Sequence, residues 1–374
     1  MRFTTAFFLC SFCLFSCKQE KNSISEQSNT WQLEILDSIQ VDYMAQIREG
    51  TFSKGVGIIK DIMSTTLVQF DSTGKILNQK TFPQEGPGSI QFLATIYPIR
   101  NGYLGTSSFS GIYRLNKDLQ LIDVLEMPFM GEARGGAYNR TNIEVWKSKI
   151  ILWYPGRNGA SPYQDFFYRD HPLLEVYDLE KKETRSIVRI PPTSKFSSDD
   201  YFGRPDVNFT IENDSLYLTL SNEPLVHVYA LGDSVKWIRT LDFQPSEFVQ
   251  IPGQKKPVTY QQEMQLNEAS ILAIYSDPNH LIVNYQGGIE SEPFIENELK
   301  ERKNFYRYPE FRNEYLKIYH PKKGWSPEVI IPKKVGFILT IESLNESFYA
   351  LRDDEYIGEE QDYLTFYKLQ LKRK

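Results

Sequence analysis

From residue 31 onward the chain consists of short apolar runs, each followed by a polar turn rich in Asn, Asp, Gly or Ser. Runs of this length with many β-branched and aromatic residues predict β-strands. One run recurs six times and contains an apolar residue that tyrosine follows in five of the copies. These apolar residues are Val68, Ile112, Val176, Val228, Ile318 and Phe366. Two further runs precede most copies and another follows, so each repeat predicts four strands.

Six repeats of four short antiparallel strands predict an all-β protein, a six-bladed β-propeller that occupies residues 31–374. The ring must close, because an open ring exposes two sheet edges. The last repeat has only three clear strands, and the run at residues 31–41 belongs to no repeat. We therefore expect this N-terminal run to complete the last blade as its outer strand. Two stacked β-sandwich domains are the alternative, but they need a linker near the middle of the chain, where the sequence shows none.

The N-terminus has a different pattern, in which Arg2 is followed by a mainly apolar stretch up to Phe15. A positive start and a short apolar stretch are typical of a secretory signal peptide. The stretch is too short to span a bilayer, which takes roughly 20 apolar residues. An alternative is a buried N-terminal helix, but the stretch has neither a polar face nor a capping residue ahead of it.

All three cysteines of the chain, Cys10, Cys13 and Cys17, lie in this N-terminal segment. The sequence Leu14-Phe15-Ser16-Cys17 resembles the lipobox of bacterial lipoproteins. In that family signal peptidase II cleaves before the cysteine, which then carries two or three acyl chains. The resemblance implies a signal peptide at residues 1–16 and a lipidated Cys17. The polar composition of the residues that follow predicts a flexible tether over residues 17–30. Lys18 stands where enterobacterial lipoproteins retained at the inner membrane have Asp, which favours the outer membrane of a cell envelope. Two or three acyl chains anchor firmly, since each buried CH₂ contributes ~0.8 kcal/mol.

Three further stretches carry a family resemblance: FDSTGKIL at residues 70–77, FPQEGPGS at 82–89 and GIYRL at 111–115. They resemble the first blades of the TolB-like six-bladed propeller lipoproteins common in Bacteroidetes, although Glu85 stands where many of those proteins have Gly or Asp. The resemblance implies a propeller of the cell envelope. It implies no reaction.

Nearly all the long connections of the predicted propeller fall on one of its two faces. Loops on a rigid scaffold usually carry binding residues, so we expect this face to be the binding face. These connections are rich in arginine, whose planar guanidinium suits carboxylate or phosphate groups, and in aromatic residues suited to stacking. The candidate ligand-binding residues are Arg134, Tyr138, Arg140, Arg157, Tyr163, Phe166, Tyr201 and Arg204. The alternative is that these loops pack on themselves and the arginines serve structure.

The sequence predicts no catalytic residue, no metal site and no other cofactor, because its four histidines and its cysteines show none of the usual metal-ligand or nucleophile spacings. The net charge of −6 without a basic stripe also argues against a nucleic-acid partner. We therefore predict a binding module for an envelope protein, peptide or glycan. The alternative is a lactonase- or lyase-like enzyme with a hard cation near the channel, for which Glu144 and Glu342 are the candidate inward-facing carboxylates.

Overall fold

The computed structural model describes residues 29–374, except residues 91–92, 108–110, 133–142, 155 and 259–266. The chain forms a six-bladed β-propeller of antiparallel, mainly four-stranded sheets, which confirms the predicted fold class. The apolar residues that mark the repeat are all buried in the third strands of their blades. Alternation of apolar and polar residues between Gly- and Asn-rich turns was therefore a sufficient signal for the architecture.

The strands of each blade follow one another from the centre of the ring outward, and the first strands of most neighbouring blades contact one another. Blade 1 contains β2 Ile47–Ser53, β3 Val56–Asp61, β4 Thr66–Asp71 and β5 Ile76–Thr81. Blade 2 contains β6 Thr95–Ile99, β7 Gly102–Ser107, β8 Gly111–Asn116 and β9 Leu121–Leu125. Blade 3 contains β10 Ile143–Trp146, β11 Lys149–Trp153, β12 Leu174–Asp178 and β13 Glu183–Ile187.

The second half of the ring repeats this order, with a divided outer strand in blade 5. Blade 4 contains β14 Val207–Glu212, β15 Ser215–Leu220, β16 Leu225–Ala230 and β17 Lys236–Asp242. Blade 5 contains β18 Ser270–Asp277, β19 His280–Gln286 and β20 Glu314–His320, and both β21 Gly324–Trp325 and β22 Val329–Ile331 pair with β20. Blade 6 contains β23 Val335–Thr340, β24 Phe348–Arg352 and β25 Leu364–Arg373, with β1 Trp31–Val41 as its outer strand.

The N-terminal strand β1 closes the ring, as the sequence predicts. It pairs antiparallel with β25, from Trp31 opposite Arg373 to Val41 opposite Leu364. The pairing continues outward by one residue, because the Lys374 N–H donates to the Thr30 carbonyl at 3.0 Å. Pairing between β1 and β25, near the two ends of the chain, therefore closes the ring.

Apolar side chains between the blades form the core of the protein. Each pair of neighbouring blades shares one hydrophobic cluster, including the pair formed by blades 6 and 1. Ile39 and Val41 of β1 belong to the cluster between blades 6 and 1, together with Phe70 and Phe366. The closing contact is therefore packed in the same way as the others, which explains why the ring needs no disulfide.

Connections on the two faces of the ring differ in length. One face carries the links between blades and the links from the second to the third strand, and we call it the loop face. Its longest connections are residues 82–94, 126–142, 154–173, 188–206, 243–269 and 287–313. The opposite turn face carries the remaining connections, which are two to seven residues long. The asymmetry that the sequence predicts is therefore present.

Helices are few and short. Among the described residues, the helices are α1 Phe167–Asp170, α2 Ser291–Glu296, α3 Tyr308–Phe311 and α4 Asp354–Ile357, and the 3₁₀ turns are Lys195–Ser197 and Arg302–Arg307. All of them lie in connections of the loop face. In the part of the chain that the structure describes, no helix is both long enough and apolar enough to cross a membrane.

Candidate functional site

The loop face carries an unusual share of exposed apolar side chains. Among the described residues, seven of the fourteen exposed large apolar side chains lie on outer strands, namely Leu36, Leu77, Ile122, Val124, Trp237, Ile238 and Ile330. The other seven all lie on connections of the loop face, namely Met44, Met63, Met130, Tyr163, Ile295, Tyr306 and Tyr356. Single exposed apolar residues are normal on any protein, but all seven that lie on described connections belong to the loop face and none to the turn face, which marks the loop face.

Four of the predicted binding residues come together on the loop face of blades 3 and 4. The Arg204 guanidinium lies 4.3 Å from the centre of the Tyr163 ring, and Tyr163 is 60% exposed. The rings of Phe166 and Tyr201 pack at 4.5 Å with an angle of 46° between their planes. We call these four residues the blade 3–4 surface. It consists of one arginine–aromatic pair, Arg204 with Tyr163, and one aromatic pair, Phe166 with Tyr201, and each pair joins the loop before β12 to the loop before β14.

Backbone and ionic contacts fix this surface in place. Phe166 precedes α1 in a left-handed conformation, with φ 59°. Arg169 of α1 lies 4.2 Å from the Phe166 ring centre and donates to Asp199 at 2.8 Å, so it links the loop of blade 3 to the loop before blade 4. On the other side, Tyr201 pairs through its backbone with Gln254. Arg169 was absent from the predicted set, although it follows the same aromatic run in the sequence.

Arg157 contacts its own blade instead of the blade 3–4 surface. Its guanidinium donates to the Ser186 hydroxyl at 3.0 Å and lies 3.7 Å from a Glu175 carboxylate oxygen. It also lies 4.6 Å from the centre of the Phe129 ring. Glu175 is fully buried, and this burial raises the pKa of its carboxyl, while the nearby Arg157 charge opposes the rise. The contacts of Arg157 are therefore those of a structural residue.

Replacing Arg157 by methionine is expected to lower the free energy of unfolding by about 1–3 kcal/mol at neutral pH, because a buried acid loses its countercharge. Without Arg157 the pKa of the folded-state Glu175 carboxyl rises further above its unfolded value. A raised folded-state pKa lowers stability as the pH rises through that interval. The deficit of Arg157→Met should therefore grow between pH 4 and pH 8, as measured by urea unfolding.

Arg185→Met is the matched control, because Arg185 is an exposed residue on β13, the outer strand of the same blade. We expect its effect on unfolding to stay within about 1 kcal/mol at pH 4 and at pH 8, as for a surface substitution. Equal deficits in the two variants, or a deficit of Arg157→Met that does not change with pH, would contradict the structural assignment of Arg157.

Several predicted residues lie outside the described residues. Arg134, Tyr138 and Arg140 fall in the link between blades 2 and 3, and Cys17 falls in the N-terminal segment. Their roles remain predictions from the sequence.

The two candidate carboxylates of the enzyme alternative differ in their surroundings. Glu144 lies in the central channel, where the Tyr97 hydroxyl donates to it at 2.6 Å and the Thr210 hydroxyl at 3.2 Å. Burial raises the pKa of the Glu144 carboxyl to about 7, and burial together with this acid raises the pKa of Tyr97. Glu342 lines the same channel but is exposed. Within the described part of the chain, no three His, Cys, Asp or Glu side chains come together as a metal site.

The architecture places the chain among the six-bladed β-propellers, and solved structures agree. It is similar to a member of the DUF4221 family from Bacteroides vulgatus, with 13% identity, 93% of this chain and 100% of the other covered, and a TM-score of 0.67. It is also similar to a predicted exported protein from Bacteroides fragilis, with 11% identity, 91% and 95% coverage, and a TM-score of 0.55. At these identities the similarity establishes the fold alone. No family model matches the chain, and no curated protein sequence matches it significantly.

Proposed function

We propose that this protein is a lipid-anchored binding module of the cell envelope, whose loop face engages a partner protein or peptide. The observation that carries the proposal is the confinement of exposed apolar side chains to the loop face, apart from those on outer strands. Methionine and tyrosine make up most of these residues, and both are enriched in protein interfaces. The partner thus has apolar groups to bury, which favours a protein or peptide over a glycan.

The direction of β1 indicates how the propeller is oriented relative to a membrane that holds its N-terminus. As the outer strand of blade 6 it runs from the turn face, where Trp31 lies beside Arg373, to the loop face, where residues 42–46 lead into blade 1. The Asn29 side chain accordingly donates to the carbonyl of Gly324, the first residue of β21 after a turn of the turn face, at 3.3 Å. A tether over residues 17–30 therefore reaches the propeller from the turn face. A lipid on Cys17 would leave the loop face directed away from the membrane.

Export and lipidation rest on the N-terminal pattern, and the printed description of the Bacteroides fragilis structure as a predicted exported protein agrees with export. We place the anchor in the outer membrane, because the position after the lipidated cysteine is Lys18 and not the acidic residue that retains enterobacterial lipoproteins at the inner membrane.

A scan with a photo-cross-linking amino acid in the producing cells tests the binding face. We expect positions Met130, Tyr163 and Ile295 of the loop face to yield the same discrete peptide-containing adduct. Ile122 and Ile238, exposed on outer strands, are the matched control positions and should yield none. Equal adducts from the control positions, adducts without peptide, or no adduct from the loop face would each contradict the proposal.

A further inference from the structure

A cavity of about 1180 Å³ lies at the centre of the ring. Exposed residues of the turn face, including Lys54, Arg100 and Lys117, line it, so the cavity opens on that face. On the loop-face side of the cavity, the inner strands carry Glu49, Thr95 and Asn208, which are 3%, 1% and 0% exposed. They stand two residues before Thr51, Tyr97 and Thr210 of the cavity wall. Alternate residues of a strand share a face, so these side chains fill the channel beneath the cavity. The cavity is therefore a pit, separate from the loop face.

A belt of polar side chains surrounds the wall of the pit, with one member from each blade. Its members are Thr51, Tyr97, Glu144, Thr210, Ser276 and Thr340. Beside the two hydrogen bonds to Glu144, the hydroxyls of Thr210 and Ser276 lie 2.9 Å apart, and those of Thr51 and Thr340 lie 2.7 Å apart. The belt thus holds its members in fixed positions through mutual contacts.

The belt keeps hydrogen-bonding capacity for a ligand. A hydroxyl offers one donor and two acceptor sites, and a carboxyl has several acceptor sites, so these contacts do not exhaust the belt. Because the pKa of Glu144 is about 7, its carboxyl is partly protonated at neutral pH and can also donate. Groups that both donate and accept around one wall match the hydroxyl groups of a carbohydrate.

The rim of the pit adds positive charge. Lys54 and Arg100 lie in the first turns of blades 1 and 2, and Lys117 lies in the last turn of blade 2. None of the three forms an ion pair with any described residue, while the acids Asp118 and Glu342 also line the pit. Three cations on two neighbouring blades are notable in a chain whose net charge is −6. Such a cluster attracts an anionic group.

We propose that the pit on the turn face binds an acidic carbohydrate, with its hydroxyl groups on the belt and its carboxylate or phosphate group against Lys54, Arg100 and Lys117. The size of the pit exceeds the range of about 300–1,000 Å³ common for small-ligand sites, which leaves room for more than one sugar ring. This site is distinct from the loop face and does not depend on the proposed protein partner.

Calorimetric titration of the full chain in detergent tests the proposal. The probes are digalacturonic acid, glucose 6-phosphate, the neutral disaccharide maltose and inorganic phosphate. We expect digalacturonic acid or glucose 6-phosphate to bind at least about tenfold more tightly than both maltose and inorganic phosphate, since both the belt and the rim contribute. Tighter binding of digalacturonic acid would indicate a carboxylate ligand, and tighter binding of glucose 6-phosphate would indicate a phosphate ligand.

Three variants locate the binding. Arg100→Gln and Thr210→Val should each weaken binding of the acidic sugar by about tenfold, through loss of a charge and of a belt hydroxyl respectively. Lys236→Gln is the matched control, because Lys236 is exposed on the outer strand of blade 4 and does not line the pit. The proposal is overturned if neither acidic sugar binds, if maltose or inorganic phosphate binds equally well, or if the three variants behave alike. None of these results bears on cross-linking at the loop face.

Discussion

A chain with Ile39→Asp or Val41→Asp is expected to lose most of its stability. Both side chains are buried, at 8% and 0% exposure, in the cluster that joins blade 6 to blade 1. A carboxylate there is either buried without a partner or forces β1 away from β25, and the second event opens the ring and exposes a sheet edge. We expect each variant to lose at least about 4 kcal/mol of unfolding free energy, or to be insoluble. Thermal unfolding followed by circular dichroism measures the effect.

Leu36→Asp on the same strand is the matched control. Leu36 is 44% exposed, so its replacement removes no core contact and should change the unfolding free energy by about 0.5 kcal/mol or less. Comparable unfolding of the Leu36, Ile39 and Val41 variants would mean that β1 does not close the ring. A stable chain lacking residues 31–41 would lead to the same conclusion.

Replacing Cys17 by serine is expected to transfer the protein from the membrane fraction to the soluble fraction. The thiol of Cys17 is the predicted attachment point of the acyl chains, and serine offers no thioether bond. Loss of two or three chains removes an anchor to which each buried CH₂ contributes ~0.8 kcal/mol, so we expect almost complete release. Fractionation and metabolic labelling with a radioactive fatty acid measure the two effects together.

Cys10→Ser and Cys13→Ser control for effects of cysteine loss near the N-terminus. Both positions lie in the predicted signal peptide, so these variants should keep wild-type labelling and membrane association. Label retained in Cys17→Ser, or lost in all three variants, would contradict lipidation at Cys17. In that case the loop face could no longer be assigned a direction relative to a membrane.

The fold was predictable because its signals are local. Strand runs, polar turns and the six buried marker residues can be recognised within a few positions of the sequence. Even the closing strand was predictable. The last repeat has only three strands, and the unassigned run at residues 31–41 is available to supply the fourth. Ring closure itself is a long-range contact, but the requirement that sheet edges be covered replaces the missing local signal.

The candidate site was predictable only in part, because side-chain partners in loops are set by long-range packing. Tyr163, Phe166, Tyr201 and Arg204 were predicted as a set and do form pairs. Arg157 carries the same sequence signal, yet it contacts Glu175 in the neighbouring strand β12. Nothing in the loop sequence distinguishes an arginine that faces the solvent from one that faces a buried acid.

The belt of the pit was missed although a signal for it existed. Thr51, Tyr97, Glu144 and Thr210 each stand two residues before the last paired residue of the first strand in their blades. Aligning the repeats on the turn after that strand would have placed these residues at one depth in the channel. Carboxylates alone indicate a cation site in a sequence, so the sequence points to Glu144 and Glu342 but not to the hydroxyl neighbours of Glu144.

Hydroxyl-radical footprinting on intact cells tests the central claim, that the loop face is the binding face, most directly. Met63 and Met130 are 76% and 81% exposed on the loop face, and Trp237 is 42% exposed on an outer strand, so all three should be oxidised readily in the isolated protein. In cells we expect Met63 and Met130 to become protected while oxidation of Trp237 is unchanged. Full oxidation of both methionines in cells, or protection of Trp237 alone, would contradict the account.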